Sequence, residues 1–275
     1  MFEPSSREES PMRPSTVPSL VHRPKAALID LAGVLHVGEC AIGGAIDALA
    51  RLRDAGLPLR FLTNTTRTPR RSLVAKLQRM GFAIDEDELQ TAPHAAQQLV
   101  RARGLKPMYL VHPDLAAEMG PSAEHPDAVV MGDMGPQLDY TRLNAAFRLL
   151  MAGGSFIAMA KNRYFMEEDG LSLDMGAFVA ALEFSSGVQA EVVGKPAAAF
   201  FHSALTELGV APADAVVIGD DLHDDIGAAL AAGIPAILVR TGKFRAGDEA
   251  DPAIRPSLVA NDFADAVTRL LALGG

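Results

Sequence analysis

The chain of 275 residues contains no tryptophan, and aromatic side chains make up 5% of it. Stacking platforms for nucleic-acid bases are therefore not expected. It also lacks a positive surplus: 34 acidic residues outnumber 25 Lys and Arg, giving a formal charge of -9. That balance excludes recognition of nucleic acid through a basic face. Cys40 is the single cysteine, so no intrachain disulfide can form, which fits a reducing cytoplasm. Cys40 itself reads as a small packed side chain. No apolar run is long enough to span a bilayer, so no membrane partner is expected. No Gly-x-Gly-x-x-Gly follows the first strand-like run, which removes the dinucleotide-binding fingerprint. The histidines show no zinc-like spacing, although His223 lies within an acidic stretch.

What the sequence does have is an alternation of short apolar runs with helical periodicity, the pattern of a parallel α/β sheet. Residues 1–23 are rich in Pro, Ser, Arg and Glu and read as a disordered tail rather than a leader peptide. Helices are expected over Ile46–Ala55, from Pro69 to Met80, and from Pro93 to Arg103, with Gly56, Gly81 and Gly104 closing them. From Pro107 the pattern restarts with strands at Met108–Val111, Ala128–Met131 and Phe156–Ala160. Helices are expected there over Tyr140–Met151 and Met175–Phe184. This block carries enough apolar residues to bury a core of its own. The expected organisation is a Rossmann-like parallel-sheet core domain, 24–106 and 189–275, with an inserted α/β cap domain, 107–188.

Four apolar runs end in polar tips. Ala26-Ala27-Leu28-Ile29 ends in Asp30, before Leu31-Ala32-Gly33. Leu59-Arg60-Phe61-Leu62 ends in Thr63-Asn64-Thr65-Thr66. Ala190-Glu191-Val192-Val193 leads into Gly194-Lys195-Pro196. Ala215-Val216-Val217-Ile218 ends in Gly219-Asp220-Asp221, with Asp224 and Asp225 beyond. Open α/β sheets put their chemistry at the carboxyl edge. A carboxylate, a hydroxyl, an ammonium and an acidic cluster at that edge fit phosphoryl transfer, where positioned cations offset phosphate charge. Four neighbouring carboxylates also call for a cation. Gly194-Lys195-Pro196 is not a Walker loop, which needs Ser or Thr after its lysine.

These tips, with Lys161-Asn162-Arg163-Tyr164-Phe165 and Arg240-Thr241-Gly242-Lys243-Phe244-Arg245, resemble the haloacid dehalogenase superfamily phosphatases that carry a large α/β cap (subclass IIA). The resemblance runs from Ala26 to the last helix. It implies a hydrolase acting on small phosphorylated compounds through an aspartyl-phosphate on Asp30, with Mg2+ as cofactor. By the same resemblance, magnesium is held by the Asp30 carboxylate, the Ala32 main-chain carbonyl and the Asp220 carboxylate. Thr63 and the Asn64 amide hold phosphate, and Lys195 neutralises charge. Asp225 and Asp221 support from behind. Lys161, Asn162, Arg163 and the loop Glu167-Glu168-Asp169-Gly170 are the candidates for the cap side of the entrance. A homodimer through the cap is implied as well.

One position departs from the pattern. The resemblance leads one to expect a second carboxylate, the general acid, where Ala32 stands. A positioned acid contributes about a hundred- to ten-thousand-fold. Activated phosphates, whose leaving groups depart without much help, are the expected substrates, and alkyl esters poor ones. The other reading is a non-catalytic phosphate- and metal-binding regulatory protein on the same fold.

Overall fold

The computed structural model describes residues 20–167 and 170–274. The expected tail therefore falls, up to residue 19, outside the described residues, as do Glu168 and Asp169. Two parallel sheets organise the rest. The first has six strands in the order Leu258–Ala260, Ala236–Val239, Ala215–Gly219, Ala26–Asp30, Leu59–Thr63, Leu89–Thr91. Every pairing in it is parallel, with Ile29 beside Ile218 and Phe61. The second has four: Glu191–Val192, Ser155–Ala158, Ala128–Met131 and Pro107–Leu110, again all parallel.

A parallel sheet covered on both faces needs strands that are apolar throughout. Ala26–Asp30 and Ala215–Gly219 are buried at every position. Their side chains alternate between two cores. Ala27, Ile29, Phe61 and Val216 pack with Leu49, Phe82 and Phe263 on one face. Ala26, Leu28, Leu62 and Val217 face the other way, into a core continuous with that of the second sheet. Helix Ala45–Asp54 buries Ala45, Ala48, Leu49 and Leu52, one stripe of its surface.

The first sheet is wound in two directions. From Ala26–Asp30 the chain steps outward through Leu59–Thr63 to Leu89–Thr91. It later returns to the opposite side at Ala215–Gly219 and steps away again. The carboxyl ends of Ala26–Asp30 and Ala215–Gly219 thus flank the point where strand order reverses, where open sheets leave a crevice.

Two features differ from the sequence reading. Cys40 is exposed, on a short hairpin with His36–Val37, because two-residue strands bury little. The expected loop before Gly170 is part of a second hairpin, Tyr164–Glu167 antiparallel to Gly170–Leu173. Glu191–Val192 closes the edge of the second sheet, and the next residues, Gly194 and Lys195, cross to the crevice of the first.

Candidate active site

Asp30 ends its strand inside the crevice, and Lys195 arrives opposite it. Lys195 Nζ lies 2.5 Å from Asp30 Oδ1 and 2.7 Å from Asp225 Oδ1. All three side chains are at least nine-tenths buried. Oxygens of Asp30, Asp220 and Asp225 lie within 4.8 Å of one another. Three carboxylates therefore face one buried ammonium.

Local structure explains how these groups are held. Gly33 and Gly242 lie in the left-handed region, at φ +92° and +61°, and a Cβ on either would collide with the Asp220 carboxylate. Their closeness lets the Lys243 main-chain amide donate to Asp220 Oδ2 at 2.7 Å. Asp225 projects from a wide helical turn over Leu222–Gly227, where Ile226 N bonds Asp221 O. Asp221 caps that turn by accepting from the amides of His223 and Asp224. Asn64 ties two loops together: its Oδ1 accepts from Lys195 N and its Nδ2 donates to Lys195 O, each at 2.8 Å.

Burial is the largest influence on Asp30 and raises its carboxyl to about 7; Asp225 and Asp220 push the same way and Lys195 pulls against them. Asp220 rises to about 6, again chiefly by burial. Lys195 is held above the ordinary lysine range: Asp225 and Asp30 outweigh the burial that opposes its charge. The cluster is short of positive charge and offers only oxygen donors. That donor set fits a hard divalent cation such as magnesium.

A cavity of about 190 Å3 gathers most of the residues read from sequence: Asp30, Ala32, Thr63, Asn64, Asn162, Lys195, Asp220, Asp221 and Asp225. Lys161 and Arg163 do not line it. Lys161 Nζ is taken by Glu183 Oε2 at 2.6 Å, and the Arg163 carbonyl accepts from Asp174 N. His223 lines a neighbouring cavity that shares Asp221 and Lys243 with the first. Sequence reasoning gave Thr65 and Lys243 no place in the wall. Lys243 had a signal, since it follows the strand Ala236–Val239 at the same sheet edge.

Residues 27–120 match the profile of the haloacid dehalogenase-like hydrolases, and residues 192–266 match that of the HAD-hydrolase-like proteins. The phospholysine phosphohistidine inorganic pyrophosphate phosphatase of Xenopus laevis is 43% identical, over 90% of this chain and 95% of its own. Haloacid dehalogenase-like hydrolase domain-containing protein 2 of Homo sapiens is 44% identical, over 90% and 96%. The 4-nitrophenylphosphatase of Thermotoga maritima shares the fold at a TM-score of 0.83 and 24% identity, over 90% and 98%. The glycerol phosphate phosphatase of Mycobacterium tuberculosis in complex with magnesium superposes at 0.78 with 29% identity, over 90% and 77%. The chain belongs to the haloacid dehalogenase-like hydrolases. Within that family it is a hydrolase of the phosphatase type.

Proposed function

We propose that the protein is a magnesium-dependent phosphohydrolase that works through an aspartyl-phosphate on Asp30, with residues 107–188 as a cap over the site. The observation that carries this reading is Lys195 Nζ bridging Asp30 and Asp225 beside Asp220 in one buried cavity. An Asp30 carboxylate oxygen forms a bond to phosphorus as the bond to the leaving atom breaks and the electron pair departs with it. Water then attacks the same phosphorus, the aspartyl P–O bond breaks, and inorganic phosphate leaves. Lys195 offsets the charge shared by Asp30 and the phosphoryl group. Thr63 and the Asn64 main-chain amide hold its oxygens.

Asp30, Asp220 and the Ala32 carbonyl would hold the ion, and Ala32 offers that carbonyl as well as aspartate would. When bound, magnesium supplies charge neutralisation at the phosphate. Asp225 is kept for Lys195 and, through its other oxygen, for the Asp221 amide at 3.2 Å.

Ala32 points to the substrate class. Its methyl cannot protonate a leaving group. The Xenopus laevis relative is named for phospholysine, phosphohistidine and pyrophosphate. An anhydride releases phosphate, a weak base, and a P–N nitrogen is basic enough to take its proton from water before the bond breaks, so neither needs an acid at position 32. The preferred substrates of this chain are therefore activated phosphates, with alkyl esters turned over slowly. Assays of pyrophosphate, a phosphoramidate and an alkyl phosphate, with and without magnesium, test this. Metal-dependent turnover of the first two ahead of the third is expected. Ala32 also favours a second reading, a phosphate- and metal-binding regulator, which predicts magnesium binding with no turnover of any of the three.

A homodimer through the cap belongs to the same proposal. Tyr140, Met151 and Phe184 are 80%, 60% and 93% exposed on helices Tyr140–Met151 and Gly176–Ser186, which pack together. An isologous interface would cover them. Sedimentation at micromolar concentration should show a dimer that Phe184→Glu dissociates.

A further inference from the structure

Helix Arg70–Arg79 begins shortly after the expected phosphate-holding stretch Thr63-Asn64-Thr65-Thr66. The first main-chain amides of a helix have no partner within it. Helices Ala92–Arg103 and Tyr140–Met151 meet this need locally: Thr91 and Asp139, the residues just before them, accept from His94 N and Arg142 N. Pro69, the residue before Arg70, has no side chain that can accept. The acceptor comes from another part of the molecule. Glu118 Oε2 takes the Arg70 main-chain amide at 2.8 Å, and Glu118 Oε1 takes Arg70 Nε at 3.3 Å. One carboxylate thus holds both the main chain and the side chain of the first helical residue. Its negative charge also suits a helix N-terminus.

Glu118 lies on helix Pro113–Met119, which follows strand Pro107–Leu110 of the second sheet. That helix is firmly seated. Leu115 and Met119 are buried in the core, and the Glu118 carbonyl accepts from the buried Gln97 side chain at 2.7 Å. The Arg70 and Glu118 side chains are themselves largely screened from water.

The stretch from Thr63 to Arg70 is therefore held at four points. Thr63 ends its strand, and Asn64 is clasped to Lys195. Arg67 Nε bonds Asp133 Oδ2 at 2.5 Å, and Arg70 N bonds Glu118. The first two ties belong to the Asp30 crevice, and the last two come from residues 107–188. Between them Thr65, in the wall of the Asp30 cavity, donates its amide to Thr63 Oγ1 at 3.2 Å. A hydroxyl that accepts there keeps its own proton for a phosphoryl oxygen. Where Thr65 sits therefore governs how the Thr63 hydroxyl is aimed.

We propose that Glu118 is a positioning residue: by capping helix Arg70–Arg79 across the two sheets, it sets the Thr63–Thr66 stretch in its phosphate-holding geometry. The proposal rests on the phosphohydrolase reading and deepens it, since it makes phosphate affinity depend on a carboxylate of the 107–188 block. Glu118 does not touch substrate. Its working contact is with the Arg70 main-chain amide, and the bond to the guanidinium adds to it.

Three proteins test this: the parent, Glu118→Ala and Glu118→Gln. Glutamine keeps an oxygen for the Arg70 amide and gives up the charge. Each is titrated with inorganic phosphate in the presence of magnesium for Kd and assayed with p-nitrophenyl phosphate for kcat and KM, below its melting temperature. Glu118→Ala should weaken phosphate binding and raise KM by about fivefold, the worth of one hydrogen bond. Its kcat should stay within about twofold, because a phosphoryl group held alike before and during reaction shifts KM alone. Glu118→Gln should stay within about twofold of the parent in every constant. If the alanine variant does not fold, Glu118→Asp takes its place, one methylene too short to reach the amide. A Glu118→Ala protein that melts earlier with Kd and KM unchanged would overturn the proposal, since Glu118 would then be a strut only. Glu118→Gln as impaired as Glu118→Ala would overturn it too. If no form turns over substrate, the phosphohydrolase reading fails, and the phosphate Kd values still decide the inference.

Discussion

The two parallel sheets are built from the same kind of strand and end differently. Ala26–Asp30 and Ala128–Met131 are both buried at every position. The first ends in Asp30, with Thr63 and Asp220 at neighbouring tips, and Lys195 crosses to join them. The second runs from Ala128–Met131 into Gly132 and Asp133, and from Ser155–Ala158 into Met159 and Ala160. Its charged tip, Asp133, is spent on Arg67. Apolar continuity thus decides that a segment joins a parallel sheet, and the residues just beyond it decide whether the edge does chemistry. The strand reversal at Ala26–Asp30 adds the crevice that lets such residues converge.

Removing the carboxylate at each edge should affect the two sheets very differently. Asp30→Asn should lower phosphate hydrolysis by at least roughly ten thousand-fold, as loss of a nucleophile does. Asp133→Asn should leave it within about tenfold, since an ion pair with one partner 38% exposed does little more than hold a loop. Steady-state assays on a common substrate check both, and comparable losses would erase the distinction between the edges.

Stability should divide the same way. Removing one partner of a buried ion pair costs about 3–5 kcal/mol, so Lys195→Met should destabilise by roughly 3 kcal/mol at pH of about 8. The cost should shrink at lower pH, where Asp30 and Asp220 take up protons. Arg67→Met should cost less than about 1 kcal/mol. Denaturant unfolding of the two variants measures the difference.

Next in size is a gain. Ala32→Asp should speed hydrolysis of an alkyl ester by roughly a hundredfold and change an activated phosphate far less. The restored acid protonates the departing oxygen, which matters most where that oxygen is a strong base. No gain on any substrate the parent protein turns over would mean that Ala32 does not occupy the acid position.

The smallest effect concerns metal and pH. The Asp30 and Asp220 carboxyls are raised by folding to about 7 and about 6. A raised carboxyl pKa means that the folded state holds the proton more tightly than the unfolded one. The stability these groups contribute is therefore full below their unfolded pKa, near 4, and is lost as pH climbs through 6 and 7. Magnesium must displace those protons, so its binding strengthens over the same window. The melting-temperature rise on adding magnesium should be larger at pH about 8 than at about 5.5, and Asp220→Asn should remove most of it. A rise that is larger at the lower pH would contradict the assignment.

The fold was legible because buried parallel strands are written as unbroken apolar runs, such as Ala26–Ile29 and Ala215–Ile218. Helix Tyr140–Met151 stands where periodicity puts it, capped by Asp139. The converging tips were legible for the same reason: each follows a strand. What escaped depends on contacts between residues far apart in sequence. Lys243 meets Asp220 through its main-chain amide, a contact that does not depend on side-chain type and relies on two glycines far apart in sequence, Gly33 and Gly242. The Lys161–Glu183 pair spans 22 positions and draws Lys161 away from the entrance. The Asn64 clasp on Lys195 joins residues 131 apart. Glu167-Glu168-Asp169-Gly170 reads in sequence as a loop, since charge and glycine hide the strands that pair there, Tyr164–Glu167 and Gly170–Leu173.

The proposed function stands on transfer of a phosphoryl group to Asp30 itself. Mixing the protein with magnesium and an activated phosphate, quenching in acid within one turnover and mapping the peptides by mass spectrometry tests it most directly. One added phosphoryl group is expected on the peptide bearing Asp30, sensitive to hydroxylamine and absent in Asp30→Asn. Turnover with a burst of product and no phosphorylated Asp30 peptide, or hydrolysis undiminished in Asp30→Asn, would contradict it.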